Sequence, residues 1–179
     1  MPNVILVDKN DTPIGESEKL AAHQQGLLHR AFSVFILRKN DDKIETLLQQ
    51  REKNKYHAGG LWTNSCCSHP EPHEPVLKAG ERRLQEELGF SVPLQEIGVF
   101  TYRAAYSNGL IEHEIDHVLI GYFERNGVIN PDKNEVADYK WLTLEDAGLS
   151  YQNNPTSFTP WFAQALGIVE SWISTHSPP

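Results

Sequence analysis

At 179 residues the chain has room for one domain with a true hydrophobic core, without help from a disulfide framework. Its 24 acidic and 16 basic side chains leave a formal charge of -8, which excludes a general nucleic-acid surface but not a local pocket of a few cations holding one diphosphate. The only cysteines, Cys66 and Cys67, are adjacent, no apolar run approaches the roughly 20 residues of a membrane span, and Met1-Pro2-Asn3-Val4 lacks signal-peptide character, so a cytoplasmic protein with no membrane partner is expected.

Val4 to Val7 reads as a short strand, followed by the turn-rich stretch Asp8 to Pro13 and a polar segment through Lys19 and His23 that reads as an open loop. Ala31 to Leu37 and Glu45 to Gln49 are β-prone runs around Lys39 to Lys43, the composition of a hairpin. Lys53 to Pro72 has no sustained period and reads as a functional loop. Pro75 to Leu88 is the clearest helix, with Leu77, Gly80, Leu84 and Leu88 on one face and Gly89 as its stop. Val99 to Ala105 and Leu110 to Phe123 flank the turn Ser107-Asn108-Gly109 as two strands, Tyr139 to Leu142 gives another, and helical patterns from Leu144 and from Pro160 to His176 close the chain. With no repeat and no linker, residues 1–179 read as a single mixed α/β domain.

Three clusters carry chemistry. In an extended Asn64 to Pro70 segment, Cys67 and His69 lie two apart and project the same way, so a thiol and an imidazole would share one pocket; a small core thiol is the plainer alternative. In the strand Glu112-His113-Glu114-Ile115-Asp116-His117, alternation puts Glu112, Glu114 and Asp116 on one face, either a solvated acidic face or a metal site where a cation offsets their repulsion. His23 and His29 are upstream candidates that only tertiary structure could unite, and His57, His73, His113, His117 and His176 read as surface residues. On the helix, Arg83 and Glu87 are four apart, either a plain ion pair or a phosphate-binding Arg beside a Mg²⁺-binding Glu.

Read from Ser68, the spacing Ser68-x5-Glu74-x7-Arg82-Arg83-Leu84-x-Glu86-Glu87-x-Gly89-Phe90 resembles the Nudix box, with Ser68 in place of its glycine and Arg83 in place of a metal-binding acid. Those departures, the stretch Thr63-Asn64-Ser65-Cys66-Cys67-Ser68-His69-Pro70, Glu112-His113-Glu114 and Phe158-Thr159-Pro160-Trp161 resemble the type I isopentenyl diphosphate isomerases. The resemblance implies a Nudix-like α/β/α sandwich with a mixed sheet, in a single domain. It also implies interconversion of isopentenyl and dimethylallyl diphosphate through a tertiary carbocation, with a small prenyl diphosphate as the partner. By the same resemblance Cys67 and Glu114 are acid/base groups on opposite faces of the substrate, Tyr102 assists, and Trp161 lies against the cation. His23, His29, His69, Glu112 and Glu114 would hold Zn²⁺ or Mn²⁺, Glu87 would hold Mg²⁺, and Lys19, Arg51, Lys55 and Arg83 would bind the diphosphate. The competing readings are a Nudix hydrolase of a nucleoside diphosphate derivative and a non-catalytic binding domain.

Overall fold

The computed structural model describes residues 2–55, 57–124 and 126–176. In chain order the strands are β1 (Asn3–Val7), β2 (Pro13–Glu18), β3 (His29–Asn40), β4 (Lys43–Arg51), β5 (Trp62–Thr63), β6 (Cys66–Ser68), β7 (Gln95–Ala105), β8 (Ile111–Tyr122) and β9 (Val136–Thr143). The helices are α1 (Lys19–Gln25), α2 (Val76–Leu88), α3 (Leu144–Asn153) and α4 (Phe162–Thr175).

Strand β3 is the spine of the sheet, and its sequence says why: from Ala31 to Leu37 every residue is buried, so both faces must be covered. It pairs antiparallel with β1, β4 and β6 and parallel with β8, which makes the sheet mixed. Phe32, Val34 and Ile36 pack on one face with Ala79, Leu84 and Leu88 of α2. Phe35 and Leu37 pack on the other with Ala147 of α3 and Phe162, Ala165, Leu166 and Val169 of α4. Period-2 alternation thus splits one strand between two cores, giving helix, sheet and helix layers.

Helix α2 starts after Pro75 and stops at Gly89, whose φ of 77° is left-handed and whose missing Cβ would lie 2.5 Å from the Asn130 carbonyl oxygen. Leu77 departs from the expected buried face: it stays exposed in the first turn, and Val76 makes the core contact there. The segment expected to be an open loop before β3 instead forms β2 and α1. Strand β2 is an exposed edge with no apolar alternation and α1 has only 7 residues, so neither carries a periodic signal. The expected loop from Lys53 to Pro72 contains the short strands β5 and β6.

Candidate active site

Strand register builds the site. Tyr102 of β7 lies opposite Glu114 of β8, and Glu114 lies opposite His29 of β3, so these side chains form one row across the sheet. One step along, Asp116 adjoins Ala31, and Ser33 of β3 pairs with Cys67 of β6. Alternation puts Glu112, Glu114 and Asp116 on the same face as Val118 and Ile120, and all three carboxylates are buried. The solvated-strand alternative is therefore removed. A cavity of about 360 Å³ opens beside this row; its lining includes Cys67, His69, Tyr102, Glu112, Glu114 and Trp161 together with Lys19, Arg51, Lys55, Arg83 and Glu87.

Behind Glu114 the fold unites His23 and His29, whose rings lie 4.9 Å apart although one comes from α1 and the other from β3. Glu114 Oε1 lies 3.0 Å from His69 Nε2, 3.3 Å from His29 Nε2 and 3.8 Å from His23 Nε2. His23 Nδ1 sits 2.6 Å from the Lys19 carbonyl and His29 Nδ1 sits 2.8 Å from the Leu27 carbonyl. A carbonyl only accepts, so each Nδ1 carries a proton, and in the neutral ring each Nε2 then presents a lone pair to the cluster. The Nε2 atoms of His29 and His69 are 3.2 Å apart, a contact that needs a proton or a cation between them. Burial holds the His23 imidazole down at about 4 and the His69 imidazole well below its ordinary range, so both are neutral donors at neutral pH. This donor set suits a divalent cation.

Glu112 stands slightly apart. It groups with His23 and His57, and His57 Nε2 is 2.9 Å from its Oε1, which corrects the surface reading of His57. Tyr106 Oη donates to Glu112 Oε2 at 2.6 Å. Tyr106 follows directly on the end of β7, four residues beyond Tyr102, a spacing that extended backbone puts on the same face; His57 had no comparable signal. His117 is also buried, between Asp11 at 2.9 Å and Glu96 at 3.2 Å, outside the cavity.

The two expected proton-transfer groups stand in opposite protonation states. Burial pushes the Cys67 thiol up to about 12, so it keeps its proton. Glu114 resists the upward push of its own burial because His69 and His29 beside it hold its carboxyl well below the ordinary range. Tyr102 Oη donates to Glu114 Oε2 at 2.6 Å and to Glu112 Oε2 at 3.3 Å. Trp161, at the start of α4, is buried with its ring 5.8 Å from that of Tyr102. Cys66 faces away from Cys67 into the core, as the alternation of an extended segment predicts.

Glu87 lies on the core face of α2, buried between Arg83 at 2.6 Å and Gln49 Nε2 at 3.0 Å. Arg83 also reaches Glu135 at 3.6 Å, and Lys55 pairs with the same carboxylate. The Arg51 guanidinium lies 5.8 Å from the Trp161 ring centre. Lys19 is pulled down to about 8, chiefly by burial and then by Arg51.

A family model for the NUDIX domain matches residues 27–162. The chain is 48% identical over 174 residues to isopentenyl-diphosphate Delta-isomerase 2 of Photorhabdus laumondii, covering 94% of this chain and 96% of that one. It is 47% identical over 159 residues to isopentenyl-diphosphate Delta-isomerase of Burkholderia multivorans, covering 89% and 88%. Among solved structures, DR0079 from Deinococcus radiodurans superposes with a TM-score of 0.74 at 14% identity, covering 92% of this chain and 97% of that one, a likeness of fold. Among the described residues no helix is long and apolar enough to cross a membrane. The relatives match over most of both chains, so the chain belongs to the isopentenyl-diphosphate Delta-isomerase family of NUDIX-domain proteins.

Proposed function

We propose that the chain interconverts isopentenyl and dimethylallyl diphosphate by adding a proton to one end of the allylic unit and removing another from the far side. The observation that carries this reading is geometric: the Cys67 thiol of β6 and the Glu114 carboxyl of β8 line one cavity, where burial favours the protonated thiol and the neighbouring imidazoles favour the ionised carboxylate. Acid-base catalysis of an unactivated alkene needs both states at once, one to give and one to take. Cys67 delivers its proton to the terminal methylene carbon, which becomes a methyl group and leaves a tertiary cation. Glu114 then takes a proton from the neighbouring methylene and the new double bond forms. Tyr102, hydrogen-bonded to Glu114, carries that proton onward, and exchange with solvent restores the thiol. Tyr102 and Trp161 form the apolar wall with Ala58, and the indole face of Trp161 stabilises the cation by up to about 2 kcal/mol once desolvated.

Lys19, Arg51, Lys55 and Arg83 bind the diphosphate, Arg through paired hydrogen bonds. Glu87 would hold Mg²⁺, which supplies neutralising charge to the diphosphate. His23, His29, His69, Glu112 and Glu114 would hold Zn²⁺ or Mn²⁺, which supplies a fixed positive charge that keeps the carboxylates ionised. We place the reaction in the cytoplasm, where the free thiols of Cys66 and Cys67 stay reduced. Diphosphate hydrolysis is disfavoured because Arg83 stands where the Nudix box expects an acid, which leaves one carboxylate fewer to gather metal at that site. Incubation with isopentenyl diphosphate, assayed separately for dimethylallyl diphosphate and for released phosphate, tests the reading. The expected result is dimethylallyl diphosphate without phosphate; phosphate matching substrate loss would overturn it in favour of a hydrolase.

A further inference from the structure

Thr63, Asn64 and Ser65 are polar yet wholly buried, and the mechanism above uses none of them. Burying such groups costs free energy unless each finds a partner. Ser65 is accounted for by the backbone: its hydroxyl donates to the Leu47 carbonyl at 2.6 Å and accepts from Ile36 N at 2.8 Å. Asn64 is different, because its partners include two side chains of the candidate active site. Its Oδ1 accepts from Trp161 Nε1 at 3.1 Å, from Cys67 Sγ at 3.3 Å and from Thr63 Oγ1 at 2.9 Å. Its Nδ2 donates to the carbonyls of Val34 at 3.0 Å and Cys66 at 2.8 Å.

The orientation of this amide has one solution. An indole N–H can only donate and a backbone carbonyl can only accept, so Oδ1 must face Trp161 and Nδ2 must face Val34 and Cys66. The sulfur therefore meets an acceptor oxygen and offers it the S–H proton. Thr63 continues the chain to Thr159 at 2.9 Å, tying the β5 to β6 turn to the segment that leads into α4. Cys67 and Trp161 lie far apart in sequence on elements that belong to different layers, and this single oxygen is bonded to both.

The geometry points to Asn64 as a positioning residue that registers the proton-donating thiol of Cys67 against the indole face of Trp161. The inference rests on the isomerase reading. In that reaction the cation forms where the thiol delivers its proton, so the indole face must stand at a fixed offset from the sulfur. Two independent anchors would let the offset drift; one shared acceptor locks it. A displacement of about 1 Å at such a site costs about 100-fold in rate without any loss of ground-state binding.

The test is Asn64→Ser, which shortens the side chain and removes the amide. We expect kcat to fall about 10- to 100-fold while KM for isopentenyl diphosphate and bound metal content stay near wild type. Indole N–H resonances of ¹⁵N-labelled protein give a readout that general loosening does not mimic. The Trp161 signal, assigned by its absence in Trp161→Phe, should shift toward a weaker hydrogen bond, while those of Trp62, Trp141 and Trp172 hold. A shifted Trp161 signal with wild-type kcat, or a lower kcat with the signal unmoved, overturns the inference. Should Asn64→Ser not fold, wild-type protein decides: a Trp161 indole proton protected from exchange and in contact with the Asn64 side chain supports it, and a freely exchanging one overturns it. Failure of the isomerase reading is separate, since wild-type protein would then make no dimethylallyl diphosphate whatever the indole signals show.

Discussion

Glu114 is the residue on which the site converges: it accepts from Tyr102 and touches His69 and His29, while Cys67 lines the same cavity from another strand. On the proposed reading one group gives a proton and the other takes it, so neither can replace the other. Cys67→Ala and Glu114→Gln should each lower kcat by at least about 10²-fold and up to about 10⁴-fold, measured as dimethylallyl diphosphate formed per enzyme. Trp161→Phe should keep part of the rate and Trp161→Ala far less, because Phe retains a weaker π face and some packing. Circular dichroism must accompany that comparison, since truncating a buried Trp costs about 3–5 kcal/mol of stability. The sequence made much of this legible, because alternation alone put Cys67 with His69 and Glu112 with Glu114. It did not reveal His57 or the amide hub of Asn64, whose partners are set by loop closure and by layer contacts far away in sequence.

At the scale of elements, α2 holds Glu87 and Arg83 in the cavity lining, and its fit depends on two glycines. A Cβ at Gly80 would lie 2.6 Å from Leu94 Cδ1 and 2.9 Å from Leu119 Cδ1, so Gly80→Ala should cost about 1–3 kcal/mol by overpacking. Gly89→Ala meets a rigid backbone oxygen at 2.5 Å and a φ of 77°, and should cost at least as much, about 1–3 kcal/mol from the strained φ alone. Urea midpoints at constant m-value measure both. The stop at Gly89 was readable because helix termini have local chemistry, as was the β7 to β8 turn at Asn108-Gly109. Strand β2 and helix α1 were not, because a charged edge strand and a helix of 7 residues owe their form to what they pack on. That omission hid the element that carries His23 to the cluster.

The whole molecule folds around buried imidazoles, and this ties its stability to metal and pH. In metal-free protein, His23 protonates only at about 4, whereas an unfolded His does so near 6.5. Between those values the unfolded chain binds more protons, so acidification favours unfolding and stability falls as pH drops from about 6.5 toward 4. His69, held low by burial, adds to the loss over the same range; Glu114, held low, adds its own only once pH falls below about 4.5, and His29, held high, acts above 6.5, where its stabilisation fades as pH rises. Melting temperature of chelator-treated protein should fall steadily over that range. Restoring Zn²⁺ or Mn²⁺ at 1,000 times its dissociation constant should add about 4 kcal/mol, an increment that His69→Ala greatly reduces. The central claim is two-sided proton transfer, and the most direct measurement of it is turnover of isopentenyl diphosphate in D₂O, with product and phosphate followed together. The account predicts deuterium in the methyl group made by protonation, stereospecific loss of one proton from the neighbouring methylene, no phosphate, and exchange slowed in Cys67→Ala by the same factor of at least about 10² as its turnover. Near wild-type turnover by Cys67→Ala, or loss of either methylene proton without preference, would contradict it.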